Sequence, residues 1–380
     1  MQNKWGLIWP LLLMIVLPLA ASWFAYPHTH LPPYFGEFPP WRGETPPGFN
    51  RNVFILVLLA ELVVAALLVF PQWFGFKQVS PKPAATPVAL PKWFWIGAAV
   101  MLFFWWLMWT GDMSFGALVY YAFTPLWWGF ILMLDGIVYR RSGGYSLLAS
   151  RPKTLLISIL VSVLGWCLFE YFNYFALGNW LYPNSHGKVP LSHPTVVVLF
   201  LVAYTTVWPA VFEWYTLLNT FPKFVARYAQ GPKLVLPGNA LLWGGLLMIA
   251  VMVFFPYPLF WVLWIGTLAV FSGLLIKLGI PTPFTSLAQG DWSPMILMAL
   301  SSLFNGFVWE VWNWGSVHLH TAITNPNYWV YDIPYVNIIH IYAEMPLLGF
   351  AGYLPFGIMV WVVFIWAGKL FGFNTRLLKD

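Results

Sequence analysis

The chain has 380 residues, 60% of them hydrophobic, 20% aromatic and 8% charged, with a mean hydropathy of +0.73. A soluble domain carries about 25% charged residues, so the composition excludes an ordinary soluble enzyme and predicts an all-α polytopic membrane protein. The net charge of +6 is spread as single basic residues between apolar runs, which argues against nucleic acid, and the single cysteine, Cys167, excludes a disulfide framework or a cysteine metal site within one chain.

Ten apolar spans are expected, at about 5–25, 52–71, 93–110, 117–139, 154–177, 195–217, 239–256, 258–277, 294–314 and 338–368. The first reads either as a retained helix or as a signal peptide with Lys4 in its n-region. The loop 26–51 is dense in proline and aromatics and should cover the helices as an irregular external cap. The stretch "KQVSPKPAATPVALPK" reads as a flexible linker. The last span is long for one crossing, and Met345-Pro346 with Gly349 to Pro355 predicts a kink or break within it. Of the 18 Lys and Arg, only Arg42, Arg51 and Lys188 fall outside when the N-terminus is placed inside. The positive-inside rule then predicts a multi-pass protein of a bacterial-type cytoplasmic (inner) membrane with both termini cytoplasmic.

Two stretches, "SVLGWCLFEYFN" and "SLFNGFVWEVWN", match at an offset of about 140 residues, aligning Ser162, Glu170 and Asn173 with Ser302, Glu310 and Asn313. Each is followed by a similar loop, with Trp180 and Tyr182 in the first and Trp329 and Tyr331 in the second, and then by a helix with a central proline, Pro209 or Pro355. The chain is therefore read as an N-terminal hairpin with its Pro-rich loop and linker (1–92), a connecting helix (93–116), a three-helix repeat (117–217), an inserted helix (218–257), and a second repeat with the tail (258–380). One inserted span between two three-span units keeps both in the same orientation, so the duplication is parallel.

Carboxyls within spans are costly and default to functional roles. Asp135 and Glu213 lie near cytoplasmic helix ends, where a loop-bonded or snorkelling carboxylate is expected, and Glu61 falls mid-span without a polar neighbour. Glu170, Glu310 and Glu344 all fall in the outer half. The i, i+3 spacing puts Glu170 with Asn173, and Glu310 with Asn313, on one helix face. His340 and Glu344, four apart, would share another. The three acids are the catalytic candidates, converging on a cavity that opens outward. Asn173, Asn313, Trp180, Tyr182, Trp329, Tyr331 and His340 are the substrate-binding candidates. The competing reading has the Glu-x-x-Asn pairs cap or clasp the loops that follow, each bonding the backbone of its own turn, with no chemistry. No cofactor is expected. His318, His320, His340, Glu310 and Glu344 keep a metal open as a third reading, as the aromatic surface does a quinone.

The stretch "NYWVYDIPYVNIIHIYAEMPLLGFAGYLPFG" resembles the membrane-embedded lycopene cyclases of the heterodimeric type. Like them, it follows a helix ending near an acid with a Trp-x-Tyr-Asp loop and a helix near an acid and proline. Glu310, Trp329, Tyr331, Asp332 and Glu344 would occupy roughly those places. The double acid after proline is missing, since Glu344 stands alone ahead of Pro346, and glutamate replaces the family's aspartate. The resemblance covers about 60 residues per repeat and implies protonation or isomerisation of an isoprenoid by a buried acid, as in a carotenoid-modifying lyase or isomerase. The reading that follows is a membrane protein binding a lipophilic isoprenoid or lipid substrate in an outward-facing cavity between the repeats. Membrane lipids and a lipophilic small molecule are its expected partners. The rivals are a proton- or cation-coupled transporter or channel, and a non-catalytic membrane subunit of a larger complex with partners of its own.

Overall fold

The computed structural model describes residues 4–379, and 63% of the chain is helix with almost no strand. In chain order, α1 is Trp5–Ala25, α2 Arg51–Val69, α3 Lys92–Thr110, α4 Phe123–Arg141, α5 Leu147–Ser150 and α6 Pro152–Phe175. They are followed by α7 His193–Tyr204, α8 Val207–Asn219, α9 Pro222–Ala226, α10 Gly238–Met252, α11 Val262–Lys277, α12 Pro283–Leu287, α13 Ser293–His318 and α14 Tyr353–Phe371. Short 3-10 segments lie at Pro71–Phe74, Met113–Tyr121 and Leu347–Gly352, the last running directly into α14.

Seven of these helical stretches are long and apolar enough to cross a membrane: α1, α2, α3, α6, α7 with α8, α13, and the final 3-10 segment with α14. An eighth is added if Met113–Tyr121 and α4, bent by 69° to each other, make one crossing. The remaining two expected spans are α10 and α11, of 15 and 16 residues. At 1.5 Å per residue they are about 23 Å long, shorter than the roughly 30 Å hydrocarbon layer. The expected span 338–368 is also shorter than foreseen. Residues 334–346 are irregular, with left-handed backbone at Tyr335, Ile339 and Tyr342, and helix begins only after Pro346.

Small residues set the closest helix contacts, as is usual where lipid offers no hydrophobic drive between helices. A Cβ on Gly129 of α4 would lie 2.5 Å from the Met101 amide nitrogen of α3, and one on Gly273 of α11 would lie 2.4 Å from that of Leu242 in α10. At the centre stand α8 and α13, buried around most of their circumference. No residue of α2 is buried. Its N-terminus is fixed by Asn50, whose side chain accepts the amide hydrogens of Asn52 (3.0 Å) and Val53 (3.2 Å).

The proline-rich loop packs on the C-terminal end of α6 and on the loop that follows it. Tyr182 donates its amide to Pro40 O (2.8 Å), and Tyr174 its hydroxyl to Glu37 O (2.7 Å). His186 stacks on Trp41 at 5.4 Å and faces His193 at 4.8 Å. Burial first, and then His193, hold the His186 imidazole below the usual histidine range. The unfolded chain thus takes up the proton first on acidification, so this contact stabilises above about pH 6.5 and is lost as the pH falls below it. NMR titration should place the His186 midpoint below that of a free histidine. Amide protection in 183–192 should fall over the same interval, and H186Q should flatten that response.

Candidate functional site

The site is assembled from the C-terminal ends of α6 and α13. Beyond α6 the chain reverses through Leu177 and Gly178, both in left-handed conformation. Asn173 holds this reversal: its Oδ1 accepts the Asn179 amide (2.8 Å) and its Nδ2 donates to Trp180 O (2.8 Å). Asn313 does the same on α13, accepting from Trp329 N (3.1 Å) and donating to Trp329 O (2.7 Å). The asparagines thus clasp loops, and neither reaches the cavity described below. The two clasped loops meet as a short antiparallel ribbon of β1, Trp180–Leu181, and β2, Val330–Tyr331, with Trp180 opposite Tyr331 and Leu181 opposite Val330.

One helical turn below each asparagine lies a buried glutamate. Glu170 Oε1 accepts hydrogen bonds from Tyr182 Oη (2.6 Å), Tyr204 Oη (2.9 Å), Trp166 Nε1 (2.9 Å) and Trp180 Nε1 (3.2 Å). Glu310 Oε1 accepts from Tyr353 Oη (2.7 Å) and Tyr331 Oη (3.0 Å), and its Oε2 from the Met345 amide (3.2 Å). Both carboxyls are almost completely buried, at 2% and 0% exposure. Sharing four or three donors is how a carboxyl is held in an apolar interior.

Tyr204 and Tyr353 come from corresponding places. Each stands at a helix discontinuity: Tyr204 ends α7 before the break at Thr205-Thr206, and Tyr353 opens α14 after its 3-10 segment. The break after α7 is stitched by Ser162, whose hydroxyl bonds Tyr204 O and receives the Trp208 amide. Pro209 and Pro355 are each the third residue of the helix that follows, where a missing amide costs little.

Between the two glutamates lies a cavity of about 570 Å³, a size that suits a small lipophilic molecule. Tyr182 and Tyr204 line it from the Glu170 side, and Tyr331 and Tyr353 from the Glu310 side. Trp264 and Phe356, 5.5 Å apart, stand between, with Trp264 stacked on Trp180 at 5.4 Å. α2 adds Val53, Leu56, Val57 and Glu61 to the wall. Glu170 and Glu310 sit behind their tyrosines and do not line the space.

The sequence-predicted residues therefore divide. Glu170, Glu310, Trp180, Tyr182, Trp329 and Tyr331 lie in or directly behind the cavity wall. Glu344 does not join them, which corrects the expected convergence of three acids: its carboxylate bonds His318 Nε2 at 2.7 Å, and the His318 ring lies on Trp314 at 5.0 Å. His340 is exposed. The expectation that it shares a helix face with Glu344 fails because the segment between Pro334 and Pro346 is not helical. His320 turns to Met108 O (3.1 Å). Among the described residues no three His, Cys, Asp or Glu side chains come together as a metal would require.

Sequence reading missed Tyr204, Tyr353 and Trp166. A signal for the tyrosines exists: Tyr182 to Tyr204 and Tyr331 to Tyr353 are both 22 residues apart. At the other end of the bundle, Asp135 accepts from Trp93 Nε1 (2.8 Å) and the Leu148 amide (2.8 Å), anchoring the start of α5. It is the loop-bonded carboxylate foreseen there. Glu213 lies against it, with Thr216 Oγ1 at 3.4 Å.

Fold and cavity define an all-helical chain of membrane-spanning composition enclosing an aromatic chamber. No family model, no curated protein and no solved structure matches it.

Proposed function

We propose that this is a multi-pass membrane enzyme that moves a proton on a lipophilic, unsaturated substrate held between the two glutamate–tyrosine clusters. The observation that carries the reading is the pairing itself: two buried carboxyls, each bonded to two tyrosine hydroxyls whose residues line one apolar cavity. At one cluster the carboxyl proton passes through a tyrosine hydroxyl to a substrate double bond, forming a C–H bond and leaving a carbocation. At the other, a tyrosine oxygen removes a proton from a neighbouring carbon and gives its own to the carboxylate, which restores a double bond in a new position. The two carboxyls exchange protonation states, and proton exchange resets them. The faces of Trp180, Trp264 and Phe356 suit the intervening cation. This is the isomerase or cyclase chemistry that the resemblance to lycopene cyclases implies.

The same proposal includes a parallel duplication and ten crossings with both termini cytoplasmic. Support comes from the repeated Glu-x-x-Asn clasp, the shared 22-residue tyrosine spacing, and the ribbon in which the loop equivalents Leu181 and Val330 face each other, as a two-fold axis along the membrane normal requires. The distribution of basic residues supports the orientation.

The test is to incubate the purified protein with a lipid extract of its host membrane and follow isomeric products by liquid chromatography and mass spectrometry. E170Q and E310Q should each slow conversion about 100-fold or more, the usual worth of a positioned proton donor or acceptor. Unchanged rates in both would overturn the acid–base role.

A further inference from the structure

Glu61 is the one carboxyl among the residues that line the cavity wall. It lies on α2 with Val53, Leu56 and Val57, at positions i, i+3, i+4 and i+8, a single helical stripe turned to the cavity. Most of the rest of α2 is exposed, and none of its residues is fully buried. α2 is thus the partition between the cavity and the surrounding hydrocarbon. Ten residues beyond Arg51, Glu61 stands about 15 Å along the helix, near the middle of the hydrocarbon layer.

Among the described residues, no hydrogen bond or ion pair engages its carboxyl. An unpartnered acid at that depth is costly and marks a site awaiting a partner. The chemistry of that partner is bounded by the rest of the wall. No Lys, Arg or His lines the cavity, so an anionic head group would find no counter-charge. A pure hydrocarbon would leave the acid unpaired. An amine would add a second charge to be desolvated. A hydroxyl offers a carboxyl both a donor and an acceptor without charge.

We propose that Glu61 is the head-group site of this cavity, receiving the hydroxyl of a single-chain lipid alcohol that reaches it from the hydrocarbon past α2. The inference rests on the reading of the cavity as a lipophile site and names the substrate's polar end.

The experiment is native mass spectrometry of the full chain in detergent with three probes of matched chain length: oleyl alcohol, oleylamine and octadecene. The wild type should hold the alcohol about tenfold more tightly than the alkene, the worth of one hydrogen bond in a dry site. E61L should bind both equally, and E61Q, which keeps a donor and an acceptor, should retain the preference. Equal binding by the wild type, tighter binding of the amine, or an undiminished preference in E61L would overturn the assignment. V57W separates the two readings: it should fill the cavity beside α2 and weaken all three probes. If V57W binds them as the wild type does, the cavity reading itself falls, whatever Glu61 does. Because α2 buries none of its residues, these variants leave the folded bundle intact.

Discussion

Replacing Glu170 with leucine should destabilise the protein by about 3–5 kcal/mol, the cost of removing one side of a buried charged hydrogen-bond network. The change strands the Tyr182 and Tyr204 hydroxyls and the Trp166 and Trp180 indole N–H groups, all of which converge on this one carboxyl. Each stranded buried donor costs about 1–3 kcal/mol. Recovered desolvation of the carboxyl offsets part of that sum, so the total stays below the simple addition. E170Q keeps a carbonyl oxygen for the tyrosines but turns an amide NH₂ toward donors, and should lose only about 1–2 kcal/mol. E310L should lie between the two, because Glu310 serves three donors rather than four. Thermal unfolding in detergent, followed by tryptophan fluorescence, orders the series. An E170L protein that melts with the wild type would show that the hub contributes nothing to the fold. E170Q, being only mildly destabilised, is then the variant in which lost turnover reports chemistry rather than unfolding.

The second large effect is expected from Gly306→Val, at a residue that touches no substrate. A Cβ on Gly306 would lie 2.4 Å from the Tyr353 ring, so the ring must give way. Tyr353 is buried, and its hydroxyl makes the shorter of the two tyrosine bonds to Glu310, at 2.7 Å. The substitution combines overpacking with loss of a charge-assisted hydrogen bond and should cost about 2–4 kcal/mol. Displacing Tyr353 from its place in the wall should also change ligand capacity. The G306V/Y353A double variant identifies the route: removing the ring should relieve most of the G306V penalty, as coupled neighbours do. If the two penalties simply add, Gly306 acts through something other than Tyr353.

Gly306 also shows where the two halves differ. It stands four residues before Glu310, where the first stretch has Trp166, four residues before Glu170. In the first half an indole fills that position and donates to the carboxyl at 2.9 Å. In the second the position is empty and a tyrosine ring packs into it. The two acids thus have different donor sets, which suits a division between proton donor and acceptor.

Much of this was legible in the sequence. Apolar run lengths located the helices, because each run must be long enough to satisfy its own backbone in hydrocarbon. The Glu-x-x-Asn spacing put both side chains of each pair on one helix face, because that relation is set by 3.6 residues per turn within a single segment. The irregular stretch 334–346 was legible only at its end, where Met345-Pro346 signals a kink or break. Residues 338–344 read as helix, while Pro334, Pro346 and the amide that Met345 gives to Glu310 impose a different path.

The sequence by itself determined the class of protein, the places of its helices and the existence of two matched acid–amide pairs, all of which depend on neighbours along the chain. Only the tertiary structure decided that the asparagines hold loops, that Tyr204 and Tyr353 cap the glutamates, that Glu344 turns away to His318, and that Glu61 faces a cavity rather than lipid. Those relations join residues from different helices, and they are set by how the helices cross and close on one another, which no local periodicity records.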